Sequence, residues 1–245
     1  MGMKILLKKT HIYLYVISVA LSYFILWPLF YYFSRQPSRY KNMNRLRRLW
    51  AFLSSAFVGF FYRFHYEQPI DWSKTYIVCA NHTSNLDIAA MCILVKGDCS
   101  FIGKEALKDG LVTGLFFRSV DIPVNRDSNI SSFRAFKKAA ERLQNGTTMI
   151  IFPEGKIGDE YPPVLHPFKN GPFRLAIELK IPIIPVSSAN TWKMLWDDGT
   201  KYGTKPGVCN IFVRKPIKTD HLTIADADNL RSIVFNIISA KIVNK

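Results

Sequence analysis

The fold is decided by the stretch Tyr76-Ile77-Val78-Cys79-Ala80-Asn81-His82-Thr83-Ser84-Asn85-Leu86-Asp87, which reads as a strand, a turn and the start of a helix. Its first five residues are apolar and β-prone, as is typical of a buried strand. The largely apolar residues 88–95 that follow are numerous enough to form a helix. The pattern therefore predicts an imidazole at the end of a strand and a carboxylate in the first turn of the next helix.

His82 and Asp87 can approach each other only if the chain turns between them. On one continuous helix, residues five apart point about 140° away from each other, whereas a strand–turn–helix corner can fold Asp87 back onto the imidazole. A carboxylate that holds one ring nitrogen orients the other as a general base. The alternative is a simple helix start, in which Ser84 or Asn85 caps the helix and Asp87 favours its positive end.

The net charge of +15 is concentrated in the first quarter of the chain. Residues 1–66 contain ten Lys and Arg and no Asp or Glu, whereas residues 67–245 contain 23 basic and 18 acidic residues and carry only +5. Because the cations flank apolar and aromatic runs, they favour an anionic membrane surface as a partner. The sequence has neither an RNA-binding aromatic signature nor a helix-turn-helix pattern, so nucleic acid is not an expected partner.

The N-terminal segment has the pattern of a helical membrane anchor. Residues 12–33 contain no charged side chain, and as a helix they would be ~33 Å long, enough to cross a hydrocarbon core. Residues 34–48 add six cations, each contributing about 1 kcal/mol near anionic lipid. Residues 49–61 form a second apolar run, too short to span. We expect residues 1–66 to be either a true span or a monotopic pair of helices, with the catalytic part on the cytoplasmic side of an inner or plasma membrane.

The remainder of the chain, residues 67–245, alternates short apolar runs with longer amphipathic ones. Strands are predicted at residues 75–80, 99–102, 120–124, 147–152, 181–187 and 208–214, and helices at residues 87–95, 105–118, 132–143, 172–179 and 226–242. This alternation indicates an α/β domain, in which a mostly buried mixed sheet is covered by helices.

Charged residues follow three further strands of the predicted sheet. Lys104 and Arg126 each close a strand-like run, and the turn Glu154-Gly155-Lys156 follows another. Gly155 permits a tight turn whose amides can bind an anion, Lys156 adds a positive charge, and Glu154 can accept hydrogen bonds from substrate hydroxyls. Each residue alone is more typical of a surface charge. Together they are suggestive, because ligands of open α/β sheets bind beyond the carboxyl ends of the strands.

The cysteines and histidines exclude several other kinds of site. The cysteines have no paired spacing and are predicted to be reduced and mostly buried: Cys79, Cys92, Cys99 and Cys209. The five histidines lack metal-binding spacing, so we expect neither a metal nor another cofactor. The sequence contains no Gly-x-Ser-x-Gly, which argues against a serine hydrolase.

Five motifs occur in the order seen in the glycerolipid acyltransferases: Asn81-His82 with Asp87, Gly103-Lys104, Ile122-Pro123-Val124-Asn125-Arg126, Phe152-Pro153-Glu154-Gly155 and Ile181-Pro182-Ile183-Ile184-Pro185-Val186. Pro167-Phe168-Lys169-Asn170-Gly171 fits as well. Over residues 76–186 the chain resembles the bacterial 1-acyl-sn-glycerol-3-phosphate acyltransferases of that family. It departs at Lys156-Ile157-Gly158, where the family commonly has Thr, Arg and Ser, so the phosphate would fall to Lys156 or Arg126.

The resemblance implies a reaction. His82, oriented by Asp87, would take the proton from the sn-2 hydroxyl of lysophosphatidic acid, whose oxygen attacks the thioester of acyl-carrier protein or coenzyme A. Lys104 or a backbone amide would stabilise the oxyanion, and Arg126 with the Glu154-Gly155 turn would hold the acceptor. The product would be phosphatidic acid for phospholipid biosynthesis.

Two other functions remain open at this point. One is acyl transfer to another acceptor, namely a lyso-aminolipid or glycerol-3-phosphate. The other is a lipid-binding scaffold that keeps the fold without catalysis, although a scaffold has no need of an oriented base at His82.

Overall fold

A computed structural model describes the backbone of residues 2–242 and the side chains of residues 7–242. Within these residues the helices are α1 Gly2–Ser34, α2 Tyr40–Ala56, α3 Leu86–Leu94, α4 Gly114–Phe117, α5 Asn129–Gln144, α6 Gly171–Leu179, α7 Thr191–Met194 and α8 Ala227–Ser239. The strands are β1 Phe60–Tyr66, β2 Ile77–Ala80, β3 Cys99–Lys104, β4 Ile122–Val124, β5 Thr148–Ile151, β6 Ile183–Ser188 and β7 Gly207–Val213.

The strands of the described chain form one sheet in the order β1-β7-β6-β2-β5-β3-β4. Neighbouring strands are parallel except for β6 and β7, which are antiparallel. The predicted α/β fold with a mixed sheet is therefore confirmed. β2 occupies the middle of the sheet, between β5 and β6. The turn that follows β2 thus emerges at the centre of one sheet edge.

Both faces of the sheet are covered by helices. Every residue of β2, β5 and β6 is buried. Because side chains alternate along a strand, Val78 and Ala80 join the core that contains α3, while Ile77 and Cys79 join the core that contains α5, α6 and α8. This double coverage explains why the central strands read as continuous apolar runs rather than as alternating ones.

Helices α1 and α2 pack along each other and against the domain. The Ser18 hydroxyl donates to the carbonyl of Ser54 at 2.9 Å, and the Trp50 indole donates to the carbonyl of Val19 at 3.2 Å. Further along α1, Phe30 packs edge-on against Phe116 of α4, with ring centroids 5.1 Å apart. The N-terminal helix therefore lies along the protein rather than extending away from it.

Two of the six cations predicted to face lipid headgroups instead serve the protein interior. Arg47 forms two hydrogen bonds of 3.1 Å to Asp121, and both side chains are buried. Asp121 also accepts the amide of Phe101 at 3.0 Å, which ties α2 to the sheet. Arg48 donates to the carbonyl of Val95 at 2.6 Å. The sequence showed their charge but not the partners, which lie about 50 to 75 residues away along the chain.

The second apolar run and the boundary drawn at residue 66 also need correction. Residues 49–61 are not one interfacial segment, because α2 ends at Ala56 and β1 begins at Phe60. Gly59, with φ of +80°, makes the turn between them. β1 pairs with β7 along its whole length, so the sheet begins seven residues before residue 67.

The six predicted strands are found within two residues of their expected ends, but one helix prediction is wrong. Residues 105–118 form a 3₁₀ turn, Glu105–Asp109, and then the short α4. Gly114 permits this path, because a methyl group there would lie only 2.6 Å from the carbonyl oxygen of Lys108. In addition, the Thr113 hydroxyl donates to the carbonyl of Leu107 at 2.7 Å, which competes with helical hydrogen bonding.

Candidate active site

The turn after β2, residues 81–87, is fixed to the neighbouring strand by its first residue. The Asn81 side chain, fully buried, donates to the carbonyl of Ser188 at 3.1 Å and accepts its amide at 2.7 Å. This pair of hydrogen bonds sets the point at which the chain leaves the sheet. His82 then follows directly at the edge of the sheet.

His82 and Asp87 come together as the strand–turn–helix pattern predicts. The Nδ1 atom of His82 lies 3.4 Å from Oδ2 of Asp87, a long contact for a hydrogen bond. The carboxylate is fully buried, whereas the imidazole is 15% exposed. Among the described residues, Nε2 of His82 has no hydrogen-bond partner, so it is the nitrogen that can meet a substrate.

Asp87 is held by more donors than His82 alone. Its Oδ2 accepts the amides of Thr83 at 2.7 Å and Ser84 at 2.9 Å, and its Oδ1 accepts the hydroxyl of Thr191 at 2.7 Å. These contacts satisfy a carboxylate that would otherwise be costly to bury. The alternative of a simple helix start is thus partly correct, since Asp87 does bind amides of the turn while it also contacts His82.

One face of the His82 ring is covered by Phe152. The two rings are stacked, with centroids 4.0 Å apart and planes 14° from parallel. Phe152 immediately precedes the predicted turn Glu154-Gly155-Lys156. Stacking from one side and Asp87 at Nδ1 together leave the imidazole little rotational freedom.

Glu154 lies against the backbone of the turn. Its Oε1 accepts the amide of His82 at 2.7 Å and its Oε2 accepts the amide of His166 at 2.9 Å. Burial raises the pKa of Glu154 to about 7, against the opposing effect of these two amides, and the nearby charge of Asp87 raises it further. Since both oxygens are occupied and the residue is only 6% exposed, the geometry argues against the predicted contact with substrate hydroxyls.

The predicted tight turn at Gly155 is present. Gly155 has φ of +82° and its amide donates to the carbonyl of Phe152 at 3.0 Å. The left-handed conformation is one that glycine adopts without strain. Lys156, which follows, is exposed.

The predicted basic residues lie at the same edge of the sheet but at different distances from His82. Lys104 ends β3 and Arg126 follows β4, and both are exposed. With roughly 4.8 Å between strands, β5 is one strand from β2, β3 is roughly 10 Å away and β4 roughly 14 Å away. The structure therefore places the Gly155 turn beside His82, Lys104 farther out and Arg126 at the rim.

Sequence reasoning missed two residues of the site, Thr191 and Phe152. Thr191 follows the end of β6 by three residues, so the strand-end position was a usable signal, although nothing local links it to Asp87. From the sequence alone, Phe152 is only the first residue of the Phe152-Pro153-Glu154-Gly155 motif. Its contact with His82 depends on β5 lying next to β2.

The cysteines are not part of this chemistry. All four are free and buried. Burial raises the pKa of each thiol above its ordinary value, at Cys79, Cys92, Cys99 and Cys209. The prediction of reduced, buried cysteines is confirmed. Among the residues with described side chains, no group of three His, Cys, Asp or Glu is arranged to hold a metal ion.

Comparison with known proteins adds sequence relatives and a structural one. An uncharacterized acyltransferase of Schizosaccharomyces pombe is 31% identical over 73% of this chain, and the 1-acyl-sn-glycerol-3-phosphate acyltransferase of Saccharomyces cerevisiae is 33% identical over 61%. The matches span 64% and 50% of the two relatives' own lengths. The crystal structure of the 1-acyl-sn-glycerophosphate (LPA) acyltransferase of Thermotoga maritima superposes with a TM-score of 0.79 at 20% identity, covering 98% of this chain and 95% of that one, and so shares the fold.

The region that carries the site is also the region that defines a family. The sequence model of the family described as Acyltransferase matches residues 62–189. That range includes His82, Asp87 and Glu154 and ends at the loop before Thr191. The chain belongs to the acyltransferase family.

Proposed function

We propose that this protein transfers a fatty acyl group from acyl-carrier protein or coenzyme A to the sn-2 hydroxyl of 1-acyl-sn-glycerol-3-phosphate, giving phosphatidic acid. The observation that carries the proposal is His82, whose Nδ1 contacts buried Asp87 while its Nε2 has no hydrogen-bond partner in the described part of the chain. Such an imidazole is a general base that needs a substrate hydroxyl as its nucleophile. The names of the relatives supply the substrate class.

Both proton transfers use one nitrogen. Nε2 of His82 takes the proton of the acceptor hydroxyl as that oxygen bonds to the thioester carbon. When the tetrahedral intermediate collapses, the carbon–sulfur bond breaks and the imidazolium returns the proton to the departing thiolate. Asp87 keeps Nδ1 facing inward and stabilises the transient positive charge. The reaction as proposed needs no cofactor beyond the acyl thioester itself.

The tetrahedral oxyanion needs donors, and the turn itself offers none. The amides of residues 82–88 all donate within the protein, to Glu154, Asp87, Asp197, Ser84 and Asn85. The backbone amide predicted as one of the two possible donors therefore cannot come from residues 82–88. We assign the role to Lys104, whose exposed ammonium ends a long, flexible side chain at the same edge of the sheet.

We further propose that the protein is monotopic, with α1 and α2 lying in one leaflet on the cytoplasmic side of an inner or plasma membrane. Leu7–Ser34 is long and apolar enough to cross a membrane. However, its His11 contacts the hydroxyl of Thr204 at 2.5 Å, and its Phe30 contacts Phe116, so both ends touch the domain. A spanning orientation would draw the domain into the bilayer.

The outward face of α1 is apolar, with Leu14, Leu21 and Ile25 each more than half exposed. Lipid is a suitable cover for such a face, and the exposed cations that remain near α2 would meet anionic headgroups. Helices α1 and α2 thus serve as the anchor, while β1 belongs to the sheet of the acyltransferase domain. Labelling of cysteines introduced at each end of α1, from one side of sealed vesicles, tests this: a monotopic helix exposes both on the same side.

The function is tested with purified protein, 1-acyl-sn-glycerol-3-phosphate and either acyl donor. We expect His82→Ala to lower kcat/KM roughly 10²–10⁴-fold, because it removes the general base. His221→Ala, which changes an exposed histidine, is the matched control and should be unchanged. Equal turnover by wild type and His82→Ala would exclude His82 from the mechanism.

Other outcomes would redirect the assignment. Product formed only with a lyso-aminolipid or with glycerol-3-phosphate would change the acceptor and keep the chemistry. Tight lysolipid binding without product from any donor would favour the lipid-binding scaffold.

A further inference from the structure

Lys169 lies over the Gly155 turn, which follows β5, the strand next to the one that ends before His82. Its amide donates to the carbonyl of Pro153 at 2.9 Å, which fixes its backbone next to the end of β5. A methyl group at Gly155 would lie 3.2 Å from Cε and 3.6 Å from Nζ of Lys169. The aliphatic part of the Lys169 side chain therefore covers the backbone of Gly155, and its ammonium lies above the turn.

The charge of Lys169 is available to a ligand. Its side chain is exposed, and among the described residues it forms no ion pair with a carboxylate. The buried carboxylate nearby, Glu154, is occupied by two amides. Lys156 differs, because Asp159 and Glu160 follow it closely and its charge acts on the Glu160 carboxylate.

The geometry of the acceptor limits where its phosphate can lie. In a 3-phosphoglycerol, four bonds separate the sn-2 oxygen from phosphorus, which puts them at most ~5 Å apart. The oxygen must lie ~3 Å from Nε2 of His82 to lose its proton. The phosphate is thus within ~8 Å of Nε2. β5 is the neighbour of β2, whereas Arg126 follows β4, three strands and roughly 14 Å away.

We propose that Lys169 is the residue that binds the acceptor phosphate next to His82, an inference that rests on the function proposed above. Lys169 supplies a positive charge close to the Gly155 turn, where this chain has Ile157 in place of the family's usual Arg. Lys104 and Arg126 lie farther from His82. The ammonium is a point charge with three donors, which suits a phosphate oxygen. The unstrained turn at Gly155 lets the phosphate approach the backbone closely.

The test compares Lys169→Gln with Lys156→Gln and with a control, Lys218→Gln. Lys218 is exposed and follows β7, whose carboxyl end points to the opposite edge of the sheet because β7 is antiparallel to β6. We expect Lys169→Gln to raise KM for 1-acyl-sn-glycerol-3-phosphate roughly 10- to 100-fold, as for a lost charge-assisted hydrogen bond. KM for the acyl donor and for the phosphate-free acceptor 1-acylglycerol should change less than about twofold, since neither uses the contact.

A larger effect of Lys156→Gln than of Lys169→Gln would overturn the assignment. So would an equal loss with 1-acylglycerol, because the contact would then not be to phosphate. If the wild type makes no phosphatidic acid, the proposed function fails. Lys169 is then tested alone, by binding of 1-acyl-sn-glycerol-3-phosphate to His82→Ala with and without Lys169→Gln, where equal affinity contradicts the phosphate site and lost affinity supports it.

Discussion

The turn of residues 81–87, which is the catalytic turn of the proposed reaction, and the turn at Glu154 each bring a buried carboxylate to His82, yet the two are built differently. Asp87 accepts two amides and a hydroxyl and contacts the imidazole itself. Glu154 accepts two amides, one of them from His82, and burial raises its pKa to about 7. One carboxylate thus acts on the side chain of the base and the other on its backbone.

The difference shows how one residue can be oriented by two acids without competition. In the proposed reaction, Asp87 holds Nδ1 of His82 and so leaves Nε2 for the substrate. Glu154 joins the catalytic turn to the segment of residues 156–167, through His166. Each acid therefore has its own donors, and removing either one should give a distinct failure.

The largest expected effect comes from Asp87→Asn. The amide would present hydrogens to the Thr83 and Ser84 amides and would no longer hold the His82 tautomer, so kcat should fall roughly 10³-fold. Steady-state kinetics beside Asp220→Asn, an exposed control, would measure it. A loss below tenfold would mean that Asp87 is only a structural cap.

A smaller effect is expected when one hydrogen-bond donor to the Asp87 carboxylate is removed. Thr191→Val keeps the side-chain shape but deletes the hydroxyl that contacts Oδ1 of Asp87. The loss of one neutral-to-charged hydrogen bond should lower kcat roughly 10-fold with little change in KM for either substrate. An effect confined to KM would place Thr191 against the substrate rather than behind Asp87.

Glu154→Gln should reduce kcat by a similar or smaller factor, roughly 3- to 10-fold, because one amide donor is left facing an NH₂ group. His166→Ala keeps its backbone amide and is the matched control, which we expect to retain nearly full activity. A rise in acceptor KM at unchanged kcat would contradict a positioning role for Glu154.

Glu154 also predicts a pH dependence of stability. Its pKa is about 7 in the folded chain, above its ordinary value of 4.5, so the folded state holds the proton more tightly. The stability contributed by that proton is complete below pH 4.5 and is lost as pH rises through about 7. The free energy of unfolding of the wild type should therefore fall relative to Glu154→Gln across this window. A constant difference between the two proteins would contradict the shift.

Much of the fold was predictable because its signals are local. Apolar runs of strand length predicted β2 to β7 within two residues, and the charge pattern separated the N-terminal helices from the rest. β1 was missed because Phe60 and Phe61 continue the apolar, aromatic run that begins at residue 49, in the second half of α2. Only pairing with β7 makes that run a strand.

The site was predictable to a different extent. The five motifs and the rule that ligands bind at strand ends brought together His82, Asp87 and the Gly155 turn. The roles of Glu154 and Thr191 were not predictable, since their partners are 72 and 104 residues away along the chain. The local sequence of a turn does not indicate whether a side chain points into the protein or toward solvent.

The sequence by itself determined three features: the strand–turn–helix around His82 and Asp87, the sheet covered by helices on both faces, and the apolar N-terminal helix. Each follows from the periodicity and the conformational propensity of the residues within a short window. Tertiary structure alone decided which charges are buried and paired, as with Arg47, and which are exposed to solvent, as with Lys169. The physical reason is that the free energy of a charge depends on the groups around it. Those groups are brought together only when distant strands and helices pack.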